Sequence, residues 1–301
     1  MTVPKTATVA EPEARDEPSR HGLRWWREAF YVLVLYLVYS TVRNQFGSAG
    51  GPTGQSNAIA YGHALDIISI ERAMGLYFEQ GLQEWYLDLP RSGLIAFWNV
   101  YYGTAHFIVT TGALVWLFRR DPRRYPRWRN ALGCTTVLAL VGFASFSLMP
   151  PRLLDAPQDA FGPPARSVTE TADDRDGFVD TLARYETFWS FDSGALKDIS
   201  NQYAAMPSLH VGWSLWSAFV LWPMVRRRWA RALVVCYPAA TMFGIIVTAN
   251  HYWLDGVGGA ITLAAGWFLG TRLERFWSAR HRDHRHPAPG PGARAPATVA
   301  E

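Results

Sequence analysis

Two short stretches carry the residues best suited to chemistry. One is Pro207-Ser208-Leu209-His210; the other, about forty residues on, runs from Asn250-His251 to Asp255. Near neutral pH an imidazole can act as nucleophile, base or acid. His251 and Asp255 are spaced i, i+4, so on a helix they share a face. The carboxylate can then accept a hydrogen bond from one ring nitrogen, leaving the other to attack or to take a proton. His210 supplies the complementary role of protonating a leaving oxygen. Pro207 reads as a first-turn helical proline, and Ser208 with the amides after it forms a helix N-terminus that favours a phosphate. Arg152 adds a bidentate cation for phosphoryl oxygens. These are parts for cutting or moving a phosphate ester, and they need neither metal nor cofactor.

Long apolar elements must position them. A helix needs about 20 apolar residues to cross about 30 Å of hydrocarbon. The run 29–42 is short but dense and is extended by Trp25 and Trp26, while 93–118, 130–151 and 199–225 contain no Asp, Glu, Lys or Arg. The run 232–271 carries one charge, Asp255. As one helix it would be about 60 Å long, roughly twice the membrane, so it folds back, with Asn250-His251 as the turn. That makes six spans.

The arginines orient them. Arg20, Arg24 and Arg27 precede the first span; Arg119 to Arg129 link the second and third; Arg226 to Arg231 link the fourth and fifth; Arg272, Arg275 and Arg280 follow the sixth. All four clusters fall on one side, as the positive-inside rule requires, so both termini are expected in the cytoplasm. The link 152–197 carries an acidic excess and belongs outside. His210, His251 and Arg152 then meet at the extracytoplasmic surface, where an ionisable group is a functional candidate. Between spans 1 and 2, residues 61–86 show a partly amphipathic pattern in Leu65, Ile68, Ile70, Ala73, Leu76 and Tyr77. They are expected to form one or two helices, lying in the interface or packed on the outer mouth of the bundle.

Fourteen Trp, 13 Tyr and 16 Phe suit interfacial aromatic belts. Cys134 and Cys236 fall inside apolar runs and read as core residues; no Cys/His cluster has zinc spacing. His106 reads as a satisfied core or lipid-facing residue, Tyr101 and Tyr102 as packing or belt residues, and Gly256, Gly258 and Gly259 as sites of close helix approach. The segments 1–22 and 279–301 are polar, without a signal-peptide pattern, and are expected to be disordered cytoplasmic tails around a single membrane domain, 23–278.

Pro-Ser-Leu-His at 207–210 and His-x3-Asp at 251–255, on six spans, resemble the second and third signatures of the type 2 phosphatidic acid phosphatase superfamily. Tyr102 with His106-Phe107, Met149-Pro-Pro-Arg152 and Gly177 to Thr181 are similar to its inositol phosphorylceramide synthase-like branch. The resemblance implies that His251 is the phosphate-accepting nucleophile, that Asp255 orients it, and that His210 is the general acid. Two family features are missing: the first signature, a Lys with Arg-Pro seven residues on, and the Arg six residues before the nucleophile, where Ile245 stands. Arg152 is the candidate replacement, with Lys197 and Asn250 as further phosphate-ligand candidates.

The expectation is therefore an all-α, multi-pass cell-membrane enzyme: a bundle of six transmembrane helices with interfacial helices, a long extracytoplasmic loop and an extracytoplasmic active site. Its substrate would be a lipid phosphate or diphosphate among membrane lipids, with no nucleic acid as partner. Water as acceptor makes it a phosphatase, the preferred reading; a bound alcohol such as an inositol makes it a phosphotransferase. The competing class is an anionic-lipid transporter or binding protein, which inverted repeats or broken mid-membrane helices would favour; neither is seen.

Overall fold

The computed structural model describes residues 24–45, 56–90, 94–155, 177–185 and 202–285. The expected tail 1–22, the candidate ligand Lys197 and most of the 151–201 loop lie outside these residues. The described residues form helices and no strand: α1 (Trp25–Gln45), α2 (Ser56–Ala73), α3 (Glu79–Leu87), α4 (Ile95–Arg120), α5 (Tyr125–Ser145), α6 (Thr181–Arg184), α7 (Leu209–Leu221), α8 (Arg228–Val247) and α9 (Trp253–Arg285). One isolated parallel bridge joins Leu148 to Ala204. The all-helical class expected from the apolar runs is what forms. α9 reaches Arg285 and so runs into the 279–301 segment.

α7 is the hub, packing against α4, α5, α8 and α9, while α9 lies along α5 in the most extensive contact of the bundle. Glycines allow that approach. A Cβ on Gly266 or Gly270 would run into the α5 backbone at Thr135 or Ala131, and one on Gly259 would overlap the Ser208 carbonyl at the start of α7. Backbones in such contact gain dispersion energy that larger side chains would hold apart.

The bundle has two chemically different ends. At one, Arg129 Nη1 reaches both carboxylate oxygens of Glu28 at 2.7 Å, Tyr125 donates to the same carboxylate at 3.1 Å, and Arg127 pairs with Glu274 at 2.9 Å. These bonds tie α1, α5 and α9 together at the arginine-rich end. The histidines of the two motifs sit at the other.

Among the described residues, one helix, α8, has the length and apolar composition to cross a membrane. α1, α4, α5 and α9 have 21, 26, 21 and 33 residues and turn large apolar side chains outward, among them Phe30, Leu37, Ile108, Val141, Ile261 and Phe268. The run 199–225 departs from expectation. It becomes helical only at Leu209 and continues for 13 residues, about 20 Å. Ser208 is the N-cap, with its carbonyl taking the Gly212 N–H at 3.1 Å, so Pro207 lies outside the helix rather than in its first turn. The Ser208 N–H is drawn away to the Asp255 carbonyl at 2.9 Å, which ends any helix before it.

α2 packs on the mouth of the bundle. Ala60, Ala64, Ile67 and Ile68 pack into one buried cluster with Leu148, Met149, Leu153 and Tyr252. Of the partly amphipathic pattern, Ile68 is buried in this cluster, while Leu65, Ile70 and Leu76 face outward. The fold-back expected at Asn250-His251 is present: α8 stops at Val247 and α9 starts at Trp253.

Candidate active site

The turn between α8 and α9 seats His251. Ala249 N–H donates to Ile246 O at 2.8 Å and Asn250 N–H to Ile245 O at 3.0 Å, the paired bonds of a Schellman ending. His251 N–H also reaches Ile245 O, at 3.2 Å. The left-handed position of this motif is usually glycine; here it is Ala249, with φ of 51°, a conformation costing about 1–2 kcal/mol for a residue with a Cβ. The turn is held from outside by the Arg152 N–H, which donates to the Ala249 carbonyl at 2.8 Å.

Beyond the turn, Asp255 lies in the first turn of α9 and its Oδ2 accepts two hydrogen bonds: Tyr252 N–H at 3.0 Å and His251 Nδ1 at 3.1 Å. The first is the backward reach of a capping box, in which a side chain in the first turn closes on the N-cap amide. His251 precedes the helix, so the two residues do not pair across a shared helical face; the capping turn brings them together. The consequence for the ring is the one expected. Nδ1 donates to the carboxylate, and Nε2 is left as the basic, nucleophilic nitrogen. Both side chains are buried.

His210 lies in the first turn of α7, with its ring centroid 5.3 Å from that of His251. It stacks on Tyr102 at 4.3 Å and meets the His106 ring at 4.2 Å. By residue type alone Tyr102 reads as a packing or belt residue and His106 as a core or lipid-facing one; their i, i+4 spacing is the signal that puts both on the face toward α7. His106 Nδ1 lies 3.1 Å from the Tyr102 carbonyl. Ser208 is fully buried and its Oγ has no hydrogen-bond partner. Its backbone N–H on the Asp255 carbonyl stitches the Pro-Ser-x-His motif to the His-x3-Asp motif.

Of the other candidates, Arg152 is buried and its guanidinium reaches Asp180 at 2.9 Å and the Gln202 side-chain oxygen. Asn250 commits its amide to Thr248, donating to Oγ1 at 2.9 Å and to the carbonyl at 3.2 Å. The structure therefore brings His251, Asp255, His210 and Ser208 into one cluster, with Arg152 bound to its rim through Ala249.

Several polar residues escaped the sequence reading. Asn99 and Thr181 bond reciprocally, with Asn99 Nδ2 on the Thr181 carbonyl and Thr181 Oγ1 on Asn99 Oδ1, both at 2.9 Å. Gln83 does the same for Val179, accepting its N–H and donating to its carbonyl at 2.9 Å, while also reaching Val247 O at 3.2 Å. Together with Arg152–Asp180, these bonds strap the 177–185 segment across the outer side of the turn. Glu71 and Glu79, both fully buried, bond to backbone amides of α9.

A family model described as the PAP2 superfamily matches residues 65–269, a stretch that contains both histidines, Asp255, Arg152 and the buried glutamates. The chain belongs to the PAP2 superfamily, whose members are generally phosphatases and phosphotransferases acting on lipid phosphates. Neither the curated proteins nor the solved structures return a match.

Proposed function

We propose that this PAP2 superfamily member is a membrane-embedded lipid phosphate phosphatase that works through a phosphohistidine on His251. The observation that carries the reading is the Asp255 Oδ2–His251 Nδ1 bond of 3.1 Å, which leaves Nε2 for phosphorus, with the His210 ring 5.3 Å away. In the first step Nε2 attacks the phosphorus, the bond to the lipid oxygen breaks, and protonated His210 gives that oxygen its proton. Asp255 stabilises the positive charge on the phosphorylated imidazole. In the second step His210, now neutral, takes a proton from water as the water attacks phosphorus, and inorganic phosphate leaves with His251 restored. The N-terminal turn of α7 and the Ser208 hydroxyl supply donors for the phosphoryl oxygens. Arg152 adds positive charge at the rim.

The membrane reading has three supports: the span-length apolar helix α8, the outward apolar side chains of α1, α4, α5 and α9, and the separation of the arginine links from the histidine end. The six spans are α1, α4, α5 and α7 to α9, the short α7 completing its crossing with the Trp222–Met224 turn after it and the extended chain before it, with the site on the extracytoplasmic side.

The test is phosphate release from a panel of lipid phosphates by detergent-purified protein, with acid-labile phosphoenzyme trapped on rapid quenching. Release and trapped label are both expected to vanish in His251→Ala. Label without release until an alcohol is added would replace hydrolysis by transfer. A fully active His251→Ala enzyme would end the phosphohistidine reading.

A further inference from the structure

The first amides of α9 are held by three carboxyl groups from three helices. Tyr252 N–H goes to Asp255 Oδ2 at 3.0 Å, Trp253 N–H to Glu79 Oε1 at 3.0 Å, and Leu254 N–H to Glu71 Oε1 at 3.2 Å. Glu71, Glu79 and Asp255 are each 0% exposed. The α9 N-terminus is thus filled by the protein's own acids, and a substrate phosphate is left the start of α7.

The two glutamates differ in what occupies their oxygens. Glu79 uses both, with Oε1 on Trp253 N–H and Oε2 on Phe78 N–H at 2.9 Å. Glu71 Oε2 receives no N–H donor and lies against the Glu79 carboxyl. Two carboxyl groups in contact and out of water do not both ionise. Both Glu79 oxygens already accept backbone N–H groups, whereas Glu71 Oε2 accepts none, so the one proton of the two carboxyl groups belongs on Glu71. Burial first, and then the Glu79 charge, push Glu71 up to about 9. The groups acting on Glu71 are Glu79 from α3 and Asp255 from α9; those acting on Asp255 are His251 and Glu79.

We propose that Glu71 and Glu79 form a proton-sharing carboxyl pair that acts as a positioning device for the nucleophile. The pair grips the two peptide N–H groups immediately before Asp255 and so sets the direction in which the Asp255 carboxylate meets His251 Nδ1. This rests on the phosphohistidine reading. It makes α2 and α3, which carry none of the reacting groups, part of the machinery. The one proton is essential to it: a second buried charge would drive the two side chains apart and release Leu254.

Two substitutions test it. In Glu71→Gln the amide oxygen keeps the Leu254 bond and the amide N–H replaces the shared proton. Rapid-quench phosphoenzyme formation is therefore expected within about twofold of wild type at pH 7. It is also expected to lose the steep decline predicted for wild type as pH rises through about 9. In Glu79→Gln an amide nitrogen stands where an acceptor is needed, and phosphoenzyme formation is expected to fall at least about tenfold, with KM little changed. The pair idea is overturned if Glu71→Gln keeps the wild-type alkaline decline, if wild type shows no such decline, or if Glu71→Gln is as impaired at pH 7 as Glu71→Ala. Should Glu79→Gln fail to fold, Glu71→Gln decides alone. His251→Ala in the same assay separates the two proposals: label surviving there refutes the nucleophile, whereas label lost there with an unaltered Glu71→Gln profile refutes only the pair.

Discussion

Replacing Asp255 by Asn tests the dyad at its most sensitive atom. Asp255 Oδ2 accepts both His251 Nδ1–H and Tyr252 N–H, while Oδ1 is buried without a partner. Asn is nearly isosteric and has two ways to sit. With its oxygen in the Oδ2 position it keeps both hydrogen bonds, its NH2 takes the buried Oδ1 position, which accepts no hydrogen bond, and the bond to histidine becomes neutral. A hydrogen bond to a charged group is worth about 1.5–3 kcal/mol and a neutral one about 0.5–1.5. The difference of roughly 1–2 kcal/mol, lost as charge develops on the ring, slows attack by about 5–30-fold. With the amide reversed, its N–H faces Nδ1, the ring proton moves to Nε2, and the nucleophile is blocked altogether. The expected result is a fall of at least about fivefold in single-turnover phosphoenzyme formation, with substrate affinity little changed. Rapid quenching of labelled enzyme, beside the thermal melt of the same preparation, measures it. A folded Asp255→Asn protein that forms phosphoenzyme at more than half the wild-type rate would refute the orienting role.

Other expectations follow from particular contacts. Because Glu71 keeps its proton in the fold up to about 9, from an ordinary 4.5, the folded state binds one proton more than the unfolded one between those values. Stability contributed by this group is therefore full below about 4.5 and declines as pH rises toward 9, by about 1.4 kcal/mol per pH unit; Glu71→Gln should remove that slope from melting temperatures taken at pH 6, 7 and 8, and an unchanged slope counts against the buried proton. Gly259→Ala places a methyl on the Ser208 carbonyl, which should cost about 1–3 kcal/mol by overpacking and part the two motifs, so that activity falls further than the melting temperature alone accounts for. Asn99→Ala removes both bonds to Thr181, worth about 1–2 kcal/mol in sum; KM for lipid phosphates should rise several-fold with phosphoenzyme formation at saturation retained, and an unaltered KM would show that the 177–185 strap does not wall the substrate site.

What the chain announces by itself is whatever lies close together along it. The uncharged runs and their arginine links imply a helical bundle with a polarity, forty apolar residues with one charge imply a fold-back, and Pro-Ser-x-His with His-x3-Asp marks the candidate reacting groups. Local chemistry suffices for these, since helix length, turn position and residue type are properties of short segments. Even so, the His251–Asp255 pair forms by a capping turn and not by a helical face, because α9 begins only at Trp253. Tertiary structure alone decided the rest. Glu71 reaches an amide 183 positions away and Glu79 one 174 positions away, and a glutamate on an amphipathic helix looks solvated until the partner helix covers it. Asn99, Gln83 and Asp180 bond mostly to backbone groups, which carry no residue-specific signal for a sequence to display. Burial turns such polar residues from surface into structure, and burial is a property of the assembled bundle.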